Sequence, residues 1–419
     1  MNNLMRLQLT GLWRHPDFLK LWAGQTISVF GSQITALALP LTAVLTLQAT
    51  PAQMGMLRAT HSASAMMAGL FAGVLADRLR RRPILIGTDL GFAVLAGSIP
   101  VAAFLGLLRI EQLYLVQFFS GVLAEFSVVT HMAFLPSLTE RNQLVDANSK
   151  LQTTSSAATI AGPGLAGVLT QLITAPMAII FDAISFLISA LFIWLIRAPE
   201  PAPEPFANRR SIRAEIVEGL RFVFGNPTLR PLAESIASHF LFNGLIYSVF
   251  ILYASRELKI DSALLGGIFA ALGLGFLTGA LAAARVARSY GVGPTMLGAT
   301  FTIAVAALLI PLADGPFPVI IAMLATALFL QAFGIQINGI NLVSLRQAMT
   351  PAQLQGRMNA SFRFLNLIAA TIGALLAGAF GEVIGLRVTL AVGACGLFIP
   401  FLRLYFSPAR NLQKAVNTA

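Results

Sequence analysis

Long apolar runs separated by short polar interruptions set the pattern of this chain. A run of about 18 residues or more is long enough to cross the roughly 30 Å hydrocarbon core of a bilayer as a helix. Such runs occupy residues 21–45, 54–75, 84–108, 112–135, 147–173 and 177–196. A proline- and charge-rich stretch with the string Pro-Glu-Pro-Ala-Pro-Glu-Pro follows, and then six more runs at 231–253, 263–284, 294–312, 317–340, 358–380 and 388–404. The pattern predicts an all-α polytopic membrane protein of twelve transmembrane helices. They fall into two six-helix bundles, residues 1–196 and 231–419, joined by a linker at 197–230. Within the linker, Ile212, Ile216, Leu220 and Phe224 recur at helical spacing, which predicts an amphipathic helix lying along the membrane surface.

Composition agrees with that architecture. The chain is 57% hydrophobic and 11% charged, with mean hydropathy +0.79, against about 25% charged residues in an ordinary soluble domain. A net charge of +11 in a soluble protein would point to nucleic acid. Here the charge sits in the short loops, where it sets topology, and nucleic acid is not an expected partner. With both termini in the cytoplasm, only Arg58, Arg109, Arg256, Lys259 and Arg387 of the 28 Lys and Arg fall on the outer side. Positive charge accumulates on the inner face of membrane proteins, so this orientation in the plasma (inner) membrane is the expected one. The basic N-terminal lead precedes a run too long for a cleavable leader. Cys395 is the single cysteine and forms no intrachain disulfide. No nucleotide loop, metal cluster or nucleophile–base spacing stands out, so neither an enzyme nor a cofactor is expected.

The two halves repeat. Leu135-Pro-Ser-Leu138 corresponds to Leu342-Val-Ser-Leu345, and Asn148 with Gly162-Pro-Gly-Leu-Ala-Gly167 corresponds to Asn359 with Gly373-Ala-Leu-Leu-Ala-Gly378. Between the second and third runs stands Gly73-Val-Leu-Ala-Asp77-Arg78-Leu-Arg80-Arg81-Arg82-Pro83, four arginines in five positions. Its second-half counterpart, Gly279 to Arg285, carries Ala283 where the first half has Asp77.

This loop resembles the signature between the second and third spans of the major facilitator superfamily. Arginine at both 80 and 81, where that family places a glycine, resembles the drug:proton antiporter branch that includes macrolide and enterobactin exporters. The resemblance implies a secondary transporter built of parallel six-span repeats, with substrate held near the midplane between the halves. It also implies that Gly73, Asp77, Arg78, Arg81 and Arg82 form a cytoplasmic gate, in which the Asp77 carboxylate locks the bundles through breakable ion pairs; the alternative is that Asp77 only caps the loop. Gly162, Pro163 and Gly167 resemble the family's antiporter motif, with Ala158 and Ala166 replacing two of its glycines. Small residues there allow close helix approach, and the proline removes a backbone donor. The basic residue that the family carries in the fourth span is replaced by Gln117.

Polar side chains are costly inside a bilayer and face a cavity or a helix partner. In the first span Gln25, Ser28, Ser32 and Thr35 share a stripe, and in the fourth Gln117, Gly121 and Glu125 do so. In the seventh, His239, Asn243 and Tyr247 align, and in the tenth Gln331, Gly334, Asn338 and Asn341. Interhelical hydrogen bonding explains any one of these, whereas the set predicts a substrate cavity lined by spans 1, 4, 7 and 10. Glu125, near the middle of its span, is read as a proton carrier, as a contact for a cationic substrate, or as the partner of Arg58. Asp182 is a second candidate for proton coupling, although its place near the outer surface favours a structural role. His131 lies six residues from Glu125, about 240° round the helix, and is read as packed or interfacial. The expected function is proton-coupled export of amphiphilic small molecules by a monomer working in the bilayer. Alternatives are an exporter dedicated to one endogenous metabolite such as a siderophore or lipid, or a non-transporting receptor on the same scaffold.

Overall fold

The computed structural model describes residues 11–78, 80–140, 143–198 and 212–411. All of the twelve runs are helical: α1 (Pro16–Thr46), α2 (Pro51–Arg78), α3 (Arg81–Phe104), α4 (Ile110–Leu138), α5 (Leu144–Ile173) and α6 (Ala175–Trp194) in the first half. The second half holds α7 (Leu229–Arg256), α8 (Ser262–Tyr290), α9 (Val292–Leu308), α10 (Phe317–Met349), α11 (Gln355–Val383) and α12 (Leu386–Tyr405). Among the described residues, ten of these helices meet the length and composition of a membrane span; α2 and the 17-residue α9 complete the set. Large apolar side chains on the outside, such as Phe104, Val94 and Leu115, form the surface that the bilayer covers.

Local chemistry sets where the helices begin and end. The Asp261 carboxylate accepts from the Leu264 amide at 2.8 Å and starts α8. Gly291 (φ 90°) and Gly385 (φ 81°) turn the chain between α8 and α9 and between α11 and α12, in a region that side chains disfavour. The first turn of α1 is tied to the end of α6 at the end of the molecule that also holds the Gly291 turn, opposite the Gly385 turn. Asp17 accepts from the Arg197 amide at 3.3 Å, and Lys20 donates to the Leu195 carbonyl at 2.8 Å. This end, which also carries the linker helix, is termed the linker end; the opposite one is the far end.

The linker helix, Ile212–Gly225, docks on the start of α11. Its Val223 is fully buried with Leu229, Leu232, Met358 and Phe362, while Phe224 is 42% exposed. The docked face runs through Gly219, which lies against the Arg357 carbonyl, and Val223.

The halves meet along α2–α11 and α5–α8, and the repeat becomes a pair of matching seams at the far end. A Cβ placed on Gly266 would lie 2.5 Å from the Pro163 carbonyl oxygen and 3.0 Å from the Gly167 Cα. A Cβ on Gly55 would lie 2.5 Å from the Ala374 carbonyl oxygen and 2.9 Å from the Gly378 Cα. Each residue of the first set sits 211 positions from its counterpart, the offset that also relates Gly162-to-Gly167 and Gly373-to-Gly378. The far end is closed by backbone against backbone, as small-residue seams permit.

Candidate functional site

A cavity with two connected regions opens toward the linker end, its inner part bounded by both halves and its wider part lined by residues of the first half. The inner region, about 430 Å³, is lined by Gln33, Arg58, His61, Gln117, Tyr247 and Ser248 among others. The wider region, about 820 Å³, runs past Gln25, Ser28, Ser32, Asp89, His131 and Asp182 to Leu21 and Leu144, at the linker ends of α1 and α5. His61 and Gln117 line both regions. A further groove separates α5 from Leu277 of α8 at the linker end. The chamber is thus open at the linker end and sealed at the far end.

Helix periodicity places most of the polar stripe of α1 in this chamber. Gln25, Ser28 and Ser32 follow one another along its wall, and Gln117 of α4 stands opposite. On α7 only Tyr247 lines the inner region; His239 sits edge-on to Phe240 at a ring separation of 5.7 Å, and Asn243 is half-buried nearby. On α10, Gln331 is fully buried and both of its amide atoms lack a hydrogen-bond partner among the described residues, as does Asn338 Oδ1. Neither residue lines the two regions described.

The charged groups divide into two kinds. Glu125 of α4 is 5% exposed, and both its oxygens accept from one guanidinium nitrogen of Arg363 in α11, Oε2 at 2.6 Å. The bond joins the two halves of the molecule. The Arg58 partner considered for Glu125 is instead placed over the face of Tyr247, its guanidinium carbon 5.7 Å from the ring centroid. Asp182 and Asp89 are each 3% exposed in the chamber wall. Asp182 lies against Gly31 of α1, where a Cβ would come within 2.7 Å of its Oδ1, and accepts from Ser185. His131 lines the wide region rather than packing away from it, on a different face from Glu125 as the helical angle requires. His61 and Asp89, each visible in the sequence as a titratable residue within an apolar run, were not among the expected site residues.

Of the charged loop, Gly73, Asp77 and Arg78 have side chains outside the described residues, so the bundle lock falls outside them too. Arg81 donates to the Ala133 carbonyl at 2.9 Å, near the end of α4, and Arg82 donates to the Ile193 carbonyl at 3.1 Å and to that of Trp194, capping α6. Both arginines bind carbonyls of the first half. In the other motif, Gly162 makes room for Gln33 of α1, and Pro163 and Gly167 lie on Gly266 of α8. Among the described residues no group of His, Cys, Asp and Glu is arranged to hold a metal ion.

A family model described as transmembrane secretion effector matches residues 11–418. The chain belongs to this family, within the major facilitator superfamily. Two curated members are equally similar to it. The multidrug efflux pump Tap of Mycolicibacterium fortuitum is 28% identical over 410 residues, covering 94% of this chain and 98% of that protein. The enterobactin exporter EntS of Salmonella typhimurium is 28% identical over 408 residues, covering 94% and 92%. Among solved structures, the nucleoside transporter NupG superposes with a TM-score of 0.75 at 13% identity, covering 93% of this chain and 99% of that one. A bacterial homologue of the lysosomal transporter Spinster, inward-facing and unoccupied, superposes at 0.69 with 13% identity, covering 93% and 96%. These likenesses fix the fold of this secretion-effector family member as that of the major facilitators. It is a multi-pass membrane transporter of small molecules.

Proposed function

We propose that the protein exports amphiphilic small molecules across the plasma membrane in exchange for protons, working by alternating access with both termini in the cytoplasm. The observation that carries this reading is the Glu125–Arg363 pair, which ties one half to the other beside a chamber open at one end only. The excess of Lys and Arg at the linker end supports assigning that end to the cytoplasm, which makes the present conformation inward-open.

The physical sequence follows from the pair. In the inward-open state a proton leaves Glu125 for the cytoplasm, and the bare carboxylate is compensated by Arg363. Substrate enters the chamber, and the halves rock so that the far-end seams open. A proton arriving from outside then neutralises Glu125, releases Arg363, and permits the return. One charge moved across 100 mV is worth about 2.3 kcal/mol, enough for a roughly fiftyfold substrate gradient. Asp182, held in the chamber wall with Asp89, is the second proton site in this reading. Equal identity to an enterobactin exporter supports one other reading, an exporter dedicated to a single endogenous metabolite such as a siderophore.

Inverted membrane vesicles test the proposal. With the lumen acidified, members of a panel of acidic, neutral and cationic fluorescent amphiphiles accumulate inside, and nigericin abolishes the accumulation. Uptake that ignores the pH gradient would sink proton coupling, and uptake of one siderophore-like compound alone would favour the dedicated exporter.

A further inference from the structure

The carboxylates of the chamber wall are almost wholly buried, and one cation is not. Asp89 and Asp182 are each 3% exposed and Glu125 is 5% exposed, with Glu125 already paired to Arg363. Arg58, by contrast, is solvent-exposed although it lies within the bundle, because it faces the inner region of the cavity. It makes no ion pair among the described residues, and only the ring of Tyr247 faces it, at 5.7 Å. An aromatic face steadies a guanidinium without neutralising it. The fixed charge presented to anything entering the chamber is therefore positive.

Neighbouring groups complete a recognition site. His61 stands one turn from Arg58 on α2, and its Nδ1 lacks a hydrogen-bond partner. Gln33 and Gln117 bring amide groups to the same wall from α1 and α4. The wide region beyond adds apolar surface from Val29, Phe92, Val116 and Phe186 between its polar groups. A planar guanidinium binds a carboxylate through two parallel hydrogen bonds, and such a bond gains strength away from bulk water.

We propose that Arg58 selects amphiphiles bearing an acidic headgroup, a carboxylate or a comparable oxyanion, and that their apolar bodies lie in the wide region. The inference rests on the exporter reading of this chamber and narrows its substrate class, against lipophilic cations. Cations meet Arg58 across a poorly screened cavity and are disfavoured there.

Three probes sharing one body provide the test: 11-(dansylamino)undecanoic acid, its primary amide, and the analogue ending in trimethylammonium. Dansyl fluorescence reports binding to the full chain purified in detergent. The wild type binds the acid about tenfold tighter than the amide, as one charge-assisted contact provides, with the ammonium weakest. Arg58→Gln brings the acid and amide together, while Arg58→Lys keeps the acid ahead of the ammonium. A wild type that binds the ammonium as tightly as the acid overturns the proposal, and that comparison stands even where Arg58→Gln fails to fold. So does an Arg58→Gln protein that retains the preference for the acid. The same probes in inverted vesicles separate this inference from the one beneath it. Acid-selective binding without uptake would defeat export and leave the anion site standing. Equal uptake of all three probes would defeat the anion site and leave export standing.

Discussion

The far-end seams make a sharp prediction about a single methyl group. In Gly266→Ala, the new Cβ would stand 2.5 Å from the Pro163 carbonyl oxygen, 3.0 Å from the Gly167 Cα and 3.2 Å from the Gly167 nitrogen. All three neighbours are backbone, so no side chain can rotate away. Ordinary van der Waals contact begins near 3.4 Å, and α5 and α8 must separate by about 1 Å locally to admit the methyl. Overpacking of this kind costs about 1–3 kcal/mol. The cost falls only on the state in which the far end is closed, because the seam is apart when that end opens. An energy of that size displaces a two-state equilibrium about 5- to 150-fold. Gly267→Ala, one residue on, meets nothing within 4 Å and serves as the control. Spin labels report the shift after Cys395→Ser: Leu172→Cys with Asp314→Cys spans the far end, and Val145→Cys with Leu281→Cys spans the linker end. In Gly266→Ala the far-end distance distribution gains a longer component, and the linker-end distribution gains a shorter one. Gly55→Ala, at the matching seam, does the same. Unchanged distributions in a folded Gly266→Ala protein would refute the idea that backbone contact at these glycines holds the far end shut.

Other variants probe the remaining contacts. Arg363→Ala leaves the Glu125 carboxylate, 7% exposed in its side chain, without its partner. Because the Arg363 side chain is 52% exposed and partly screened, the loss is about 1–3 kcal/mol rather than that of a fully buried pair. Thermal unfolding in detergent should show it, and adding Glu125→Gln should restore part of the stability; a single variant as stable as wild type would show the pair to be idle. Gly219→Val drives a side chain into the Arg357 carbonyl, 2.6 Å from where its Cβ would sit, beside the 2.7 Å Glu218–Arg357 pair. The linker helix then lifts, and trypsin cuts faster after the exposed Arg221; an unaltered digestion rate would mean that docking does not depend on this approach. Arg82→Gln removes the donor that caps α6 and lowers stability by about 1 kcal/mol, read from the same melting curves, and a melt that overlays wild type would remove that cap from the description.

The fold was largely legible because a bilayer enforces it: apolar length, positive loops and two repeats leave few alternatives to twelve spans. α2 carries Arg58 and His61, yet its apolar length alone still marked it as a span. The wall of the chamber was legible where helix periodicity governs, as for Gln25, Ser28 and Ser32. Pairings between the halves were not, because they depend on how the two bundles dock. Glu125 and Arg363 are 238 residues apart, and nothing local connects them. Arg58 was the partner considered, and it faces Tyr247 instead. The docked face of the linker helix was not legible, because a backbone contact at Gly219 leaves no hydrophobic signal.

The most direct test of proton coupling through Glu125 uses proteoliposomes that hold a pH-sensitive dye. Into these, wild type and Glu125→Gln are reconstituted, and an amphiphile accumulated in the vesicle assay is added. Wild type moves protons on each addition, and Glu125→Gln, which cannot carry one, loses that response while still binding the amphiphile. Undiminished proton movement in Glu125→Gln would contradict the assignment and pass the role to Asp182 or Asp89.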